Sequence, residues 1–465
     1  MRITTRSLSS LLLLASIATS SAAQDKAADA PKPKPAELKV VSDEEKAAKA
    51  DPQASWKKLM ARKVEIFTQL QQLKKDFAKA EGREAKVKAR DEFTDLIRQF
   101  EVGVFPQMQD LAETIFTANP TELDAGEIVM QKAYNENQYE KSGDVAAKLL
   151  AANFKSKSVL STAGASQYAL HNFEEAVRLL TEAQSSNKLD PQFDAVLGNA
   201  TKYVEFGKAE MEIRAKEEKL EGDNALPRVV LETEKGKIII ELFEDHAPNT
   251  VANFISLVEG KKYDGVKFHR VENGFMAQGG DPNTLNDDPS DDGHGGPGYT
   301  IKCECYAPHT PRMHFRGSLS MAHAGKDSGG SQFFITHLPT EWLNPATEPR
   351  MRGHTVFGRV IEGLELSGAL RRGDKIIKAE VLRKRPHEYK PVTTPDPVEK
   401  PADEDKSAKK PEKTDESKKP VEGEAKKEEV KKDEVKKDDT PKAEPKKDEA
   451  KQEVPKKEEK PADAK

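Results

Sequence analysis

Cysteine is nearly absent from this 465-residue sequence: Cys303 and Cys305 are the only two. One Cys-x-Cys pair excludes a disulfide framework. A bridge across a single intervening residue would also be strained, because bridged Cα atoms need a restricted separation. Aromatic residues make up 6% and all apolar residues 36% of the chain, below the roughly 45–50% of an average globular protein. The length suggests about three domains, but the apolar share excludes one large core, so part of the chain is unfolded or thinly packed. No apolar run reaches the ~18 residues that a membrane-spanning helix needs. An excess of either charge is lacking too. Lys and Arg number 75 against 80 Asp and Glu, a net charge of -5, which excludes a strongly basic nucleic-acid binder.

Arg2 and Arg6 precede the apolar run Leu11 to Leu14, and Ser21-Ala22-Ala23 supplies small residues at cleavage spacing. This pattern predicts a secretory signal over residues 1–23, cut after Ala23. The mature protein is then exported, periplasmic or secreted, with no transmembrane segment, and an oxidising milieu around its cysteines. ATP is disfavoured as a cofactor there. Residues 24–51, rich in Ala, Lys and Pro, read as a flexible leader.

Residues 52–222 read as an all-α domain. Leu59, Ile66, Leu70, Leu73 and Phe77 recur at helical spacing, as do Phe93, Leu96, Ile97 and Phe100. Pro106 is placed to open a third helix, and Thr121 with Glu122, Asp124 and Glu127 to cap and open a fourth. The stretch AGASQYALHNFEEAVRLLTEAQSSNKLDP resembles a tetratricopeptide repeat. Gly164, Ala176 and Ala183 fall where its small residues lie, and Gly198 follows Gly164 by the 34-residue period. Pro191 and Tyr168 are out of register, so the expectation is one or two degenerate repeats or an ordinary helical hairpin. Repeats of this kind offer a surface for a protein partner.

Residues 227–385 change character. Val229–Glu234 and Lys237–Leu242 read as a hairpin, and Pro248 leads into a helix holding Val251, Phe254, Ile255 and Val258. Phe333–Ile335, Val356–Val360 and Ile376–Leu382 read as strands, with a helical run Leu364–Leu370. Many short strands and few helices predict a closed barrel, because closure removes exposed edges. Residues 391–465 contain 21 Lys, 14 Glu, 9 Asp and 10 Pro with no aromatic residue. Such a segment cannot bury enough surface to offset its ordering entropy, and it reads as a disordered low-complexity tail, a spacer or solubiliser.

The barrel region carries the chemistry. Nine of ten histidines lie between His246 and His387, yet no zinc-protease or four-cysteine pattern occurs. Cys303, Cys305, His309 and His314 form the one local candidate for a metal, against the plainer reading of a loop with incidental residues. In YDGVKFHRVENGFMAQGGDP, strand alternation would put Phe268 and Arg270 on one face. A guanidinium beside Phe275 and Met276 makes an apolar slot with a strong donor. GSLSMAHAGKDSGGSQFFIT adds Gln332 and Phe334, and EWLNPATEPRMRGHTVFGRV adds Trp342, Leu343 and His354.

These segments, FHRV, GFMAQGGD, GSLSMAHAG, GSQFFI and VFGRV in that order, resemble the cyclophilin family of peptidyl-prolyl cis/trans isomerases over residues 227–385. The resemblance implies a closed eight-stranded antiparallel barrel with two helices and a substrate groove on its outside. By position, Arg270 matches the catalytic arginine. Phe275, Met276, Phe334 and Leu343 match the walls of the proline pocket, and His354 its far edge. Gln278 matches the glutamine that bonds substrate backbone, Ala322 and His323 the pair that binds the residue before proline, and Gln332 lies beside the groove. Trp342 matches the tryptophan associated with cyclosporin binding. The implied function is rotation about Xaa-Pro bonds in exported proline-containing polypeptides, assisting their folding, with no metal or nucleotide cofactor. The alternative is a non-catalytic peptide-binding or chaperone protein. Three departures stand out. His323 replaces a common asparagine, ten residues (344–353) separate Leu343 from His354, and residues 283–298 form an acidic, glycine-rich enlarged loop.

Overall fold

The computed structural model describes residues 51–306, 308–345 and 352–395. The expected export signal (residues 1–23), the expected leader up to residue 50 and the expected tail from residue 396 onward lie outside the described residues. All described residues fall in one compact unit.

The helical part begins where the Asp51 side chain accepts the Ala54 N–H at 2.9 Å and Pro52 presets the first turn. Helix α1 (Pro52–Lys79) buries Trp56, Ile66 and Leu70. Helix α2 (Arg83–Arg98) buries no residue; it widens through Gln99–Val104 into α3 (Phe105–Ala118), which has Pro106 in its first turn. Next come α4 (Leu123–Asn135), α5 (Tyr139–Ala151), α6 (Lys157–Ala169) and α7 (Phe173–Ser185). The pair α6–α7 repeats the pair α4–α5 at an offset of 34 residues at all four helix boundaries. The turns repeat as well. Asn137 and His171, and likewise Asn153 and Asn187, are left-handed residues just past a helix end, the position that closes a helix by satisfying its last carbonyls. Gly164 lets α6 approach α7: a Cβ there would stand 2.6 Å from Leu180 Cγ. Helix α8 (Asp194–Glu217) closes the array against α7.

The second part is an antiparallel sheet with two helices. Its strands are β1 (Arg228–Thr233), β2 (Gly236–Leu242), β3 (Arg270–Glu272), β4 (Met276–Gly279), β6 (Ser318–Met321), β7 (Phe333–Thr336), β8 (Val356–Glu362) and β9 (Ile376–Arg383). The helices are α9 (Pro248–Glu259) and α10 (Leu364–Ala369). The order across the sheet is β3-β4-β7-β6-β8-β2-β1-β9. This corrects the expectation of a closed barrel. Strands β3 and β9 are terminal and do not pair with each other, so the sheet is an open, half-barrel structure. The irregular residues before β3 touch the other edge, through Phe268 N–H to Asp374 O at 2.8 Å and Gly265 N–H to Ile376 O at 2.7 Å. Hydrophobic alternation fixes which face of each strand is buried, but not whether the first and last strands meet.

The inner face packs Val229, Leu231, Ile238, Ile240, Phe254, Phe268, Leu319, Phe333, Ile335 and Phe357 into one core. Two further strands, β5 (Tyr299–Thr300) and β10 (Thr394–Pro395), pair with each other. The order therefore extends to residue 395, a few residues past the expected start of the tail.

The helical and sheet parts share buried contacts. Tyr168, Phe173, Ala176, Ala200 and Tyr203 from α6, α7 and α8 enclose Phe315 of the sheet part. Beside them Arg312, 1% exposed, bonds Glu210 and Glu217 of α8 and lies 3.7 Å over the Phe243 ring.

Candidate active site

The register of four neighbouring strands builds one face of the site. Arg270 on β3 stands opposite Gln278 on β4, Gln278 opposite Phe334 on β7, and Phe334 opposite Ser320 on β6. Residues directly opposite in antiparallel strands share a face, so this row lies outside the sheet. The next row, Val271, Ala277, Ile335 and Leu319, belongs to the core. Phe268 also belongs to that core and is fully buried, which corrects the expectation that it shares a face with Arg270. It precedes β3, where only the isolated bridge Lys267–Lys375 forms, so the alternation of β3 does not carry back to it.

A groove of ≈ 590 Å³ lies on this outer face. It gathers Arg270, Phe275, Met276, Gln278, Ala322, His323, Gln332, Phe334, Leu343 and His354. Trp342 stays on the rim: it is 55% exposed, with its ring 5.6 Å from that of Phe275. Arg270 is half-exposed. Its Nε and Nη2 face Glu272 Oε1 at 2.8 and 2.6 Å, and its guanidinium carbon is 5.7 Å from the Phe275 ring centre. Glu272 thus aims the guanidinium and leaves the Nη1 hydrogens for a ligand.

The opposite wall is aromatic. His354 stands edge-on to Phe334 at 5.4 Å and stacks on His323 at 4.0 Å. Burial, and then the neighbouring His323, push the His354 imidazole down to about 4, so it is uncharged at neutral pH. His354 Nδ1 meets Met321 O at 2.9 Å, and its backbone N–H bonds Leu343 O at 3.1 Å. The two ends of the segment between Leu343 and His354 therefore meet. Gly353 makes that closure possible, since a Cβ there would fall 2.5 Å from Pro345 Cα. His323 donates from Nε2 to Gly353 O at 3.0 Å, and its buried Nδ1 has no partner.

Gln278 Nε2 donates to Gln332 Oε1 at 2.9 Å, and Gln332 Nε2 donates to the carbonyls of Gly293 and Gly295 at 3.0 and 2.8 Å. Residues 283–298, expected as an enlarged surface loop able to modulate substrate access, supply Gly293 to Pro297 to the groove lining. Gly295 is the signal that could have disclosed this: its Cα packs where a Cβ would lie 2.1 Å from Asp281 Oδ1, so glycine is required for the loop to fold back. The metal alternative has no geometry behind it. His314 is buried with both ring nitrogens engaged, by Asn344 Oδ1 and Ser320 Oγ at 2.9 Å each. The Cys303 Sγ accepts from Asp327 N–H, and Cys305 Sγ donates to Gly353 O. Among the described residues no three metal-binding side chains converge.

Residues 228–388 match the family described as cyclophilin type peptidyl-prolyl cis-trans isomerase/CLD. A peptidyl-prolyl cis-trans isomerase of Synechococcus elongatus is 44% identical over 160 residues, which cover 34% of this chain and 97% of that protein. The chain belongs to the cyclophilin family. Peptidyl-prolyl cis-trans isomerase B of Bacillus subtilis is 50% identical over 146 residues, 31% of this chain and 90% of that protein. A peptidyl-prolyl cis-trans isomerase of Helicobacter pylori is 45% identical over 148 residues, 31% of this chain and 81% of that protein. The cyclophilin match thus spans about a third of the sequence, and the helical part lies before residues 228–388.

Proposed function

We propose that the chain is a peptidyl-prolyl cis/trans isomerase acting on proline-containing polypeptides, and that Arg270 is its catalytic residue. The observation that carries this reading is the row Arg270–Gln278–Phe334 along one groove, a half-free guanidinium beside an apolar slot. An Xaa-Pro amide resists rotation because its nitrogen lone pair is shared with the carbonyl, and unaided isomerisation takes tens of seconds or longer. In the twisted state the proline nitrogen regains its lone pair. An Nη1 hydrogen of Arg270 then donates to it, a bond stronger in the twisted state than in either planar state, which lowers the barrier. Phe275, Met276, Phe334, Leu343 and His354 hold the ring. Gln278, with Ala322 and His323, takes the backbone before it. The reaction moves no proton and forms no covalent intermediate.

The reading extends to the rest of the chain. Arg2, Arg6, the apolar run from Leu11 and the small residues up to Ala23 support export, so clients are proline-containing proteins folding outside the cytosol. The 34-residue offset of α4–α5 and α6–α7 supports tetratricopeptide-like repeats. The composition of residues 396–465 supports an unfolded spacer.

The test is isomerisation of an Xaa-Pro peptide by the 24–465 chain beside Arg270→Ala. The parent accelerates the reaction, and the variant loses roughly 10²-fold or more in kcat/KM, the scale of one transition-state donor. A folded parent without acceleration overturns the reading.

A further inference from the structure

The helical array touches the groove's two walls from behind. At the first contact, Asn137 sits buried in the turn after α4. Its Oδ1 accepts the Gly274 N–H at 2.7 Å, and its Nδ2 bonds Gly368 O at 3.1 Å. Asn273 Nδ2 donates back to Asn135 O at 3.0 Å. Residues 273–274 are the turn between β3 and β4, so this contact holds the hairpin that carries Arg270 and Phe275. At the second contact, the fully buried Tyr203 of α8 donates to His314 O at 2.7 Å and accepts from Asn344 Nδ2 at 3.3 Å. Asn344 Oδ1 bonds both His314 N–H and His314 Nδ1. The His314 ring lies parallel to Phe334 at 6.0 Å. Lys202 pairs with Glu341 at 2.7 Å, and Tyr168 donates to Pro339 O at 3.1 Å. These bonds pin residues 339–344, which carry Trp342 and Leu343.

We propose that the helical domain is part of the isomerase itself, with Asn137 and Tyr203 as positioning residues: Asn137 sets the hairpin bearing Arg270, and Tyr203 sets the Leu343 wall of the proline pocket. The inference rests on the proposed isomerase activity for its kinetic readout, but not for its spectroscopic one. Two polar side chains of one domain satisfy buried groups directly beneath the two walls of the other. A groove bound to the array in this way has its walls fixed before substrate arrives, which lowers the cost of ordering them on binding.

The test uses the full mature chain and three variants. Tyr203→Phe keeps the ring and removes the hydroxyl. Asn137→Gly removes the side chain and keeps the left-handed backbone that Asn137 adopts at φ 62. Glu140→Gln weakens the Arg316 pair, which belongs to the same inter-domain contact but touches no groove residue. Tyr203→Phe should raise KM for an Xaa-Pro peptide about three- to tenfold with kcat little changed, the range of one net hydrogen bond. Asn137→Gly should lower kcat by a similar factor, because it loosens the donor used in the twisted state. Glu140→Gln should leave both constants at parental values whatever it does to thermal stability. In a Trp56→Phe background, which leaves Trp342 as the only tryptophan, Tyr203→Phe should shift Trp342 emission and weaken peptide binding.

Unchanged constants and emission in Tyr203→Phe and Asn137→Gly overturn the inference, whether or not they lower the melting temperature. An equal loss of activity in Glu140→Gln also overturns it, since any loosening of the domains would then suffice. If the parent shows no turnover, the isomerase reading falls instead, and the Trp342 emission with its peptide titration still decides whether Tyr203 sets the loop.

Discussion

Replacing Glu210 by glutamine tests whether the two halves of the folded unit stand or fall together. Glu210 accepts three bonds, from Arg312 Nε at 3.0 Å, Arg312 Nη2 at 2.6 Å and Arg214 Nε at 2.9 Å. Arg312 is 1% exposed and has one other carboxylate, Glu217 at 2.6 Å. The amide removes the charge and turns an N–H₂ group toward a guanidinium donor. Breaking a buried pair costs ~3–5 kcal/mol, and because Glu217 keeps Arg312 partly paired, about 3 kcal/mol is the expected loss. With a urea slope of about 3 kcal/mol per M, the midpoint falls by about 1 M. Trp56 lies in α1 and Trp342 beside the groove, so each half has its own fluorescent probe, read separately in Trp342→Phe and Trp56→Phe backgrounds. Both probes should give one midpoint in the parent and one lower midpoint with Glu210→Gln.

The pH dependence has a definite sign. Burial alone would raise the Glu210 carboxyl, but the Arg312 hydrogen bonds, helped by the charges of Arg312 and Arg214, outweigh it and hold the group below its ordinary value. A depressed carboxyl contributes stability above its unfolded value, about 4.3, and loses it as pH falls through the folded value. The gap between parent and Glu210→Gln should therefore narrow in acid below that pH. His314, held near 3 by burial, and His337 and His354, near 4, also destabilise the fold in acid, but equally in both proteins, since none of them faces Glu210. Probes that separate in the parent, or a gap that stays constant into acid, would refute the reasoning.

Two more substitutions follow from single contacts. Gly164→Val drives a side chain into Leu180; overpacking should cost roughly 1–3 kcal/mol, read as a lower urea midpoint with kcat/KM per folded molecule kept. Gln332→Ala frees Gln278 and the Gly293–Gly295 wall. The loss of ~1–2 kcal/mol in bonds should raise KM for Xaa-Pro peptides about 5- to 30-fold, measured by the same isomerisation assay.

The site was more legible in the sequence than the sheet that carries it. Each residue assigned to the groove by position reaches it except Trp342, because side-chain types in fixed local order survive without knowledge of the surrounding topology. The β1–β2 hairpin was legible too, from two apolar runs around Lys235 and Gly236. By contrast β3, β4, β5 and β6 are two to four residues long, too short for alternation to show. The open seam depends on where β3 and β9 end, which no apolar pattern records. The α6–α7 hairpin was visible through its small residues. Its predecessor α4–α5 was not, because Gly126 occupies a different helical position and the left-handed Asn137 and Asn153 look like ordinary polar residues. The wall formed by Gly293 to Pro297 depends on long-range bonds to Gln332, and local composition cannot disclose those.

The lack of fully buried residues at the tip of the α1–α2 hairpin has a consequence for how the native protein breathes. The last buried residue of α1 is Leu70, α2 has none, and Phe77 near the hairpin tip is 45% exposed. Lys74 reaches over the Phe93 ring at 5.8 Å there, and such a contact at an exposed site resists opening weakly. Amides near the tip should exchange with solvent through local opening, while those of α6, enclosed along most of its length, wait for global unfolding. A protease meeting the folded enzyme would then cut first around Gly82, where the chain turns with φ 85. The clipped molecule would keep α4 to α8, and with them the groove.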